Sequence, residues 1–302
     1  MGRPGLRASA SRQCSHHEPG CRVVRLTSRF TVRLLTLLLI TIGLLAAPIG
    51  AARAQRVLTV VAHDTALEVP LTVPAGMITV RLQLDGSIRR ELVVHRIPAG
   101  TLPEDLVRGA SGRPERWFDR GSFGGPEVPR DSANDASATF DLRPGRYALV
   151  AYEVDAAGRP KPDKYVWREV TVVAAAVLIP ARFSVPDMTI RLKDSRIDVT
   201  GALRPGSRTL QIENAGNRPH DLIVGRLKPG KTIDDARRWD RGRGDAAPFV
   251  YVAGLTPMST GVTAQTKIVL QSGTHVVLCS ERHSGERTRD NQRGVLASFT
   301  VK

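Results

Sequence analysis

The chain has 302 residues, of which 41% are hydrophobic and 5% aromatic, with 27 glycines and 20 prolines. This composition is typical of turn-rich globular domains and excludes collagen and coiled coil, and the length predicts about two domains. The formal net charge is +15, to which residues 1–54 contribute eight arginines against one acidic residue. No basic run is interleaved with aromatic residues, so we expect no nucleic-acid partner.

The first 54 residues have the pattern of a secretory signal. An apolar run, residues 34–49, follows three arginines and precedes the small-residue site Ala52-Arg53-Ala54. This order of basic, apolar and small residues predicts export, with cleavage before Gln55. The run is shorter than the roughly 20 apolar residues of a membrane-spanning helix. We therefore predict a periplasmic or extracellular protein; the alternative is anchorage to the membrane by residues 34–49.

The cysteines become informative once this segment is set aside. Cleavage would remove Cys14 and Cys21 and leave Cys279. An exported chain with one cysteine cannot form an internal disulfide. Its thiol is a buried inert group, a metal ligand or an intermolecular partner.

Short β-rich runs separated by turn signals follow from Val57 onward. Two of them are Met77 to Leu84 and Val166 to Val173. Strands with this spacing predict a sandwich or a barrel.

Two parts of this β-rich region match one another. Residues 76–100 align without a gap with residues 206–230, and seven of those 25 positions are identical. Further along, residues 142–151 align with residues 270–279. Matches in the same order and at near-equal spacing predict a duplicated unit of about 120 residues.

The match also predicts the domain boundaries. The signal segment covers residues 1–54, domain 1 residues 55–174 and domain 2 residues 175–302. The boundary falls at the run Ala174-Ala175-Ala176.

A predicted strand near the C-terminus brings a thiol and an imidazole into one loop. It starts at Gly273 and ends at Cys279, and His283 lies four residues further on. Within the strand, His275 and Cys279 share one face by the period of two. We interpret His275 as a core residue, because it occupies the place of Tyr147 in the other copy.

The repeated β units, together with the segment around Cys279, resemble the cupredoxin-like fold, the Greek-key β-sandwich of plastocyanin and related blue-copper proteins. The resemblance covers nearly all of residues 57–302, as two copies. It is carried by Gly273-x-His275-x-x-x-Cys279, by the upstream segment Asn217 to Leu222, and by the closing segment Gly294 to Val301. It implies an all-β fold class: two tandem cupredoxin-like Greek-key β-sandwiches after an N-terminal signal segment.

The resemblance also implies a copper site in domain 2. In that family an upstream histidine, a strand-end cysteine, a second histidine and an axial methionine hold the metal. His220 matches the upstream histidine, Cys279 matches the thiolate, and His283 is the candidate for the second histidine. Two imidazoles and a thiolate with a weak axial ligand form an electron-transfer site.

The second copy departs from the family pattern at two places. Val295 follows Gly294 where the family usually has methionine. The segment Arg289-Asp290-Asn291 stands where the second histidine is common, whereas His283 lies earlier in the loop.

The first copy departs further. Arg90 stands in the place of His220, and Ala151 in the place of Cys279. We therefore expect domain 1 to hold no metal.

The sequence lacks G-x-S-x-G, H-E-x-x-H, P-loop and dinucleotide motifs, so we expect the protein not to be an enzyme. Two functions stay open. In one, domain 2 binds copper through His220, Cys279 and His283 and transfers single electrons to a redox partner. In the other, the chain is a metal-free envelope binding or structural module on a degenerate cupredoxin scaffold, with no cofactor and an envelope protein partner.

Overall fold

The computed structural model describes residues 56–106, 121–129, 134–155, 160–176, 182–201, 204–243, 245–283 and 285–302. The predicted signal segment lies outside these ranges. Residues Ala54–Lys302 form one compact unit. In the part of the chain that is described, no helix has the length and apolar character needed to cross a membrane.

Within the ranges that the structure describes, the first half of this unit contains ten strands. They are β1 Arg56–Ala62, β2 Leu67–Glu68, β3 Thr72–Pro74, β4 Gly76–Leu84, β5 Arg90–Arg96, β6 Ser122–Gly124, β7 Pro126–Glu127, β8 Asp135–Leu142, β9 Gly145–Val154 and β10 Pro160–Val173.

The second half adds eight strands and one short helix. They are β11 Met188–Lys193, β12 Arg196–Gly201, β13 Gly206–Asn214, β14 His220–Leu227, α1 Ile233–Arg238, β15 Phe249–Met258, β16 Thr263–Leu270, β17 Gly273–Leu278 and β18 Leu296–Val301. Single 3₁₀ turns occur at Arg241–Arg243 and Asn291–Arg293.

The strands form two facing sheets. One has the order β12-β11-β13-β16-β8-β4-β1-β2, and the other β18-β17-β14-β15-β6-β5-β9-β10-β3, with β7 beside β15 and β5. Each half contributes an equivalent set: β2-β1-β4-β8 corresponds to β12-β11-β13-β16, and β6-β5-β9-β10 corresponds to β15-β14-β17-β18. In both sets one pair is parallel, β1 with β4 and β11 with β13. The predicted fold class, an all-β chain of tandem sandwiches, is confirmed.

Equivalent edges of the two halves meet at a junction. In one sheet β8 pairs with β16, and in the other β15 pairs with β6 and β7, all antiparallel. Both sheets therefore run through the junction without a break. The proposed boundary near residue 174 stays a prediction.

Alternating side chains build the core between the sheets. In β4 the side chains of Ile78, Val80 and Leu82 are fully buried, while the residues between them are partly or fully exposed. A period of two places alternate residues on opposite faces, which is why such runs form half-buried strands. One continuous cluster of these inward side chains extends through both halves.

A second apolar layer covers the outer face of the second half. Helix α1 starts with a capping box between Thr232 and Asp235, in which each side chain bonds the backbone N–H of the other residue. Ala236 and Trp239 pack there against β14, β15 and β17. The indole ring of Trp239 lies edge-on to Phe249, with ring centroids 5.2 Å apart, so this tryptophan is a packing residue.

Candidate metal centre

Strand ends bring the predicted ligands together. β17 ends at Leu278, so Cys279 is the first residue beyond the strand, and its side chain is fully buried. His220 begins the neighbouring strand β14 and is also fully buried. Its Nδ1 lies 3.4 Å from the Cys279 sulfur. Adjacent strands thus place two residues that are distant in sequence side by side.

The loop after Cys279 folds back over this strand end. The backbone N–H of Asn291 donates to the Cys279 carbonyl at 2.8 Å, and the N–H of Asp290 donates to the Glu281 carbonyl at 2.9 Å. The Val295 N–H donates to the Asp290 carbonyl at 2.9 Å. These bonds hold the side chain of Asp290, which is fully buried, over the thiol.

Asp290 is the centre of the site. Its Oδ2 lies 3.2 Å from Nδ1 of His220, 3.3 Å from the Cys279 sulfur and 3.1 Å from Nε2 of His283. The ligand atoms of His220, His283 and Asp290 all lie within 4.8 Å of one another. The structure therefore brings the three predicted residues into one cluster, but they converge on a carboxylate that the sequence analysis did not assign.

A second carboxylate orients His220. Oδ1 of Asp194, in the turn between β11 and β12, lies 3.2 Å from Nε2 of His220. Asp194 is itself held by the backbone N–H of Asn217 at 2.9 Å. The contact with Asp194 thus fixes the ring so that Nε2 faces Asp194 and Nδ1 faces the cluster.

The protonation of the cluster follows from burial and charge. Burial, with the nearby charges of Asp221 and Asp290, raises the pKa of the Cys279 thiol well above its ordinary value. Burial alone would raise the pKa of Asp290, but hydrogen bonds from His220 and His283 outweigh it and hold this pKa well below the ordinary value. The hydrogen bond to Asp290 raises the pKa of His283. The cluster thus holds an ionised carboxylate and a thiol that donates to it.

The donor set fits a soft or borderline metal ion. Two imidazole nitrogens, a sulfur and a carboxylate oxygen are all ligands that copper and zinc accept. A cation in this position would favour the thiolate over the thiol. Among these groups, the His283 side chain is 13% exposed, whereas those of His220 and Asp290 are completely buried.

Two residues bear on the axial position, at which the family has methionine. Val295 is buried and apolar, as expected from the sequence. Met258 is fully buried and is the cross-strand neighbour of His220.

The first half shows what an arginine does at the equivalent position. Arg90 is buried, and its guanidinium donates to the carbonyl of Ala151 at 3.1 Å and to that of Asp64 at 2.6 Å. A cationic side chain therefore stands at the position of His220 and bonds the backbone of Ala151, the residue in the place of Cys279. The expectation that domain 1 holds no metal stays a prediction.

The sequence analysis missed Asp290 and Asp194. Asp290 occupies the segment where the family commonly has its second histidine, and this position was the available signal. Asp194 has an equivalent in Asp64, which accepts the backbone N–H of Ile88 at 2.9 Å. The two aspartates thus belong to matching turns. Asp194 contacts His220, whereas Asp64 accepts a backbone N–H.

No protein-family profile matches this sequence, and no curated protein matches it. Several solved structures are similar in fold. Auracyanin B is 15% identical with a TM-score of 0.28, over 38% of this chain and 86% of that chain. Auracyanin from Roseiflexus castenholzii is 16% identical with a TM-score of 0.27, over 38% and 94%. A Cu-containing nitrite reductase from Thermus scotoductus is 13% identical with a TM-score of 0.24, over 82% and 62%.

These likenesses correct one expectation. The absence of catalytic motifs led to the prediction that the protein is not an enzyme. That prediction is wrong, because the similar structures include an enzyme, a nitrite reductase. Motif searches find known local patterns, whereas a metal site is assembled from distant strands. With TM-scores below 0.5, the likenesses assign no particular activity to this chain.

Proposed function

We propose that the protein is an exported copper-binding redox protein whose metal site, in the second half, consists of His220, Cys279, His283 and Asp290. The observation that supports it is the convergence of a buried thiol and two imidazoles on one carboxylate oxygen, at 3.1–3.3 Å. Copper bound there would supply a couple that takes up and releases single electrons. A redox protein in the cell envelope is the proposed partner.

Each residue has a defined part in this proposal. Cys279 supplies a sulfur ligand shielded from water, because its side chain is fully buried. Asp194 fixes the ring of His220 so that Nδ1 faces the cluster. His283 connects the site with the surface, since it is the ligand that retains some exposure. Electron transfer to a partner would therefore pass near His283.

One observation favours the metal-free alternative. Asp290 already accepts hydrogen bonds from the two histidines and the thiol, so the buried polar groups are satisfied without a metal. A satisfied buried network can specify a unique core by itself. In that case the chain is a structural or binding module of the envelope.

Copper titration of the purified chain separates the two. We expect one Cu(II) per chain and a strong thiolate-to-copper absorption band in the visible spectrum, which Cys279→Ser abolishes. His63→Gln, which removes a partly exposed histidine of the first half, is the matched control and keeps the band. Asp290→Ala should keep binding but shift the band, because a hard oxygen ligand is lost.

A chain that shows neither the band nor stoichiometric copper binding contradicts the proposal and favours the metal-free module. Binding of Zn(II) without a copper band would retain a metal site and exclude electron transfer, since zinc has no redox chemistry.

A further inference from the structure

We infer that a cleft at the junction of the two halves is a binding site for a small hydroxycarboxylate with an apolar body. The cleft has a volume of about 390 Å³ and lies between the two sheets. β15 contributes Val250 and Val252 to its wall, β16 contributes Val269, and residues 135–137 of β8 close another side. Sites of this volume at domain junctions are typical of small-molecule binding.

A buried histidine in the cleft has a nitrogen without a partner. His275 is fully buried, and its Nδ1 lies 3.2 Å from the Gly273 carbonyl oxygen. A carbonyl only accepts, so Nδ1 carries the proton and Nε2 is left as an acceptor. This Nε2 is buried and makes no hydrogen bond to any residue that the structure describes.

The orientation of this histidine is fixed. Its ring stacks on that of Phe299, with centroids 5.1 Å apart and an angle of 6° between the rings. Leaving a buried acceptor unpaired costs free energy, and native proteins rarely do so without a reason. A hydroxyl or N–H group of a ligand in the cleft would satisfy Nε2.

The charges along the cleft favour an anion. Arg226 and Lys267 line it, and within the described ranges neither makes an ion pair. The acidic residues of the cleft are already engaged: Glu127 with a buried arginine and Asp135 with a surface arginine. The groups left over are therefore two cations, which suit a carboxylate.

The first half supplies an internal comparison. Arg96 and Tyr147 are cross-strand partners, as are Arg226 and His275. In the first half both side chains are satisfied by the chain itself: Arg96 donates to the Pro144 carbonyl at 3.1 Å, and the Tyr147 hydroxyl donates to the carbonyl of Arg143 at 2.9 Å. In the second half Arg226 and His275 occupy the same positions, but the chain gives Nε2 of His275 no such bond.

Each part of the ligand class follows from one of these features. The cations bind a carboxylate, Nε2 of His275 binds a hydroxyl, and the valine wall covers an apolar body. The cleft differs from the candidate metal centre, because His275 lies four residues before Cys279, about 13 Å along the strand.

The test is calorimetric titration of the purified chain with mandelate. We expect saturable binding to one site. Phenylacetate, which lacks the hydroxyl, and mandelamide, which lacks the charge, should each bind at least about tenfold more weakly. Arg226→Gln should weaken mandelate binding by about tenfold, and the matched variant Arg96→Gln should leave it unchanged.

Two results would overturn the inference. One is that none of mandelate, lactate and 3-hydroxybutyrate saturates the protein below about 10 mM. The other is that Arg226→Gln binds mandelate as tightly as the unchanged chain. Because Arg226 is half-buried at a strand end, this variant tests the cleft without emptying the core, and its melting temperature verifies that it is folded.

Discussion

One carboxylate oxygen, Oδ2 of Asp290, lies within 3.3 Å of a thiol and two imidazoles in the second half. At the matching position in the first half stands Arg90, whose guanidinium donates to the carbonyls of Ala151 and Asp64. Local side-chain chemistry thus distinguishes the two copies of a shared scaffold, because the candidate metal centre of one copy is matched by an arginine in the other.

Asn291 supports the loop that carries Asp290. It is fully buried, and its side-chain N–H groups donate to three carbonyls at the end of α1, those of Ala236, Arg237 and Trp239, at 2.8–3.1 Å. The residue therefore connects the helix with the candidate site.

We expect Asn291→Ala to lower the free energy of unfolding by about 2 kcal/mol, because buried carbonyls at the end of α1 lose their donor. Urea denaturation followed by tryptophan fluorescence measures this change. The neighbouring variant Gln292→Ala is the control, since that side chain is partly exposed and accepts a single bond from Arg289. Equal losses in the two variants would contradict the role assigned to Asn291.

Strands β6 and β7 join the two halves at the level of elements. The Ser122 hydroxyl donates to the Pro257 carbonyl at 2.7 Å, and the Thr256 hydroxyl donates to that of Leu92 at 2.8 Å. Between the two strands, Gly125 lies so close to Leu92 that a Cβ atom would meet its backbone carbonyl. A glycine is required because the obstacle is backbone, which cannot turn aside as a side chain can.

Gly125→Ala should therefore destabilise the protein by about 3 kcal/mol, since the added methyl forces β7 away from β5. Thermal and urea unfolding are the measurements. Gly261→Ala serves as the control: a Cβ there meets open space, and the only cost is its left-handed backbone (φ 79°), about 1 kcal/mol. A loss at Gly125 no larger than at Gly261 would show that the junction strands tolerate displacement.

At the scale of the whole molecule, both sheets and one core cluster run through the junction. A buried ion-pair group reinforces it. Arg241, from the second half, bonds Glu91 and lies 3.5 Å from Glu127, both in the first half, and all three are buried. Contacts of this kind should make the two halves unfold together.

We expect Arg241→Ala to lower the free energy of unfolding by about 3–5 kcal/mol in a single transition, because two buried carboxylates lose their counter-ion. Replacing all three residues (Arg241→Met, Glu91→Gln, Glu127→Gln) should recover most of that loss. Urea denaturation with fluorescence and circular dichroism measures both effects. Arg191→Ala, which removes an exposed partner of Glu213, is the control and should cost less than about 1 kcal/mol. Two separate transitions in the unchanged chain would contradict the coupling of the halves.

The sequence alone determined the strands and their faces. Alternation of apolar and polar residues is a local property, so the buried positions of β4 could be read directly from the chain. The resemblance likewise implied that His220 and Cys279 belong to one site. Their side chains do lie together, although they are 59 residues apart in sequence. Export and the ligand roles of these residues stay predictions.

Only the tertiary structure decided what lies between these strands. It placed Asp290 at the centre of the cluster, Asp194 behind His220, and Arg241 against two glutamates 150 and 114 residues away in sequence. It also placed His275, predicted to be a core residue, in the wall of a cleft with one buried nitrogen that makes no hydrogen bond to any described residue. The physical reason is that periodicity specifies which face a side chain takes, whereas its partner depends on which strand edges and loops meet in space.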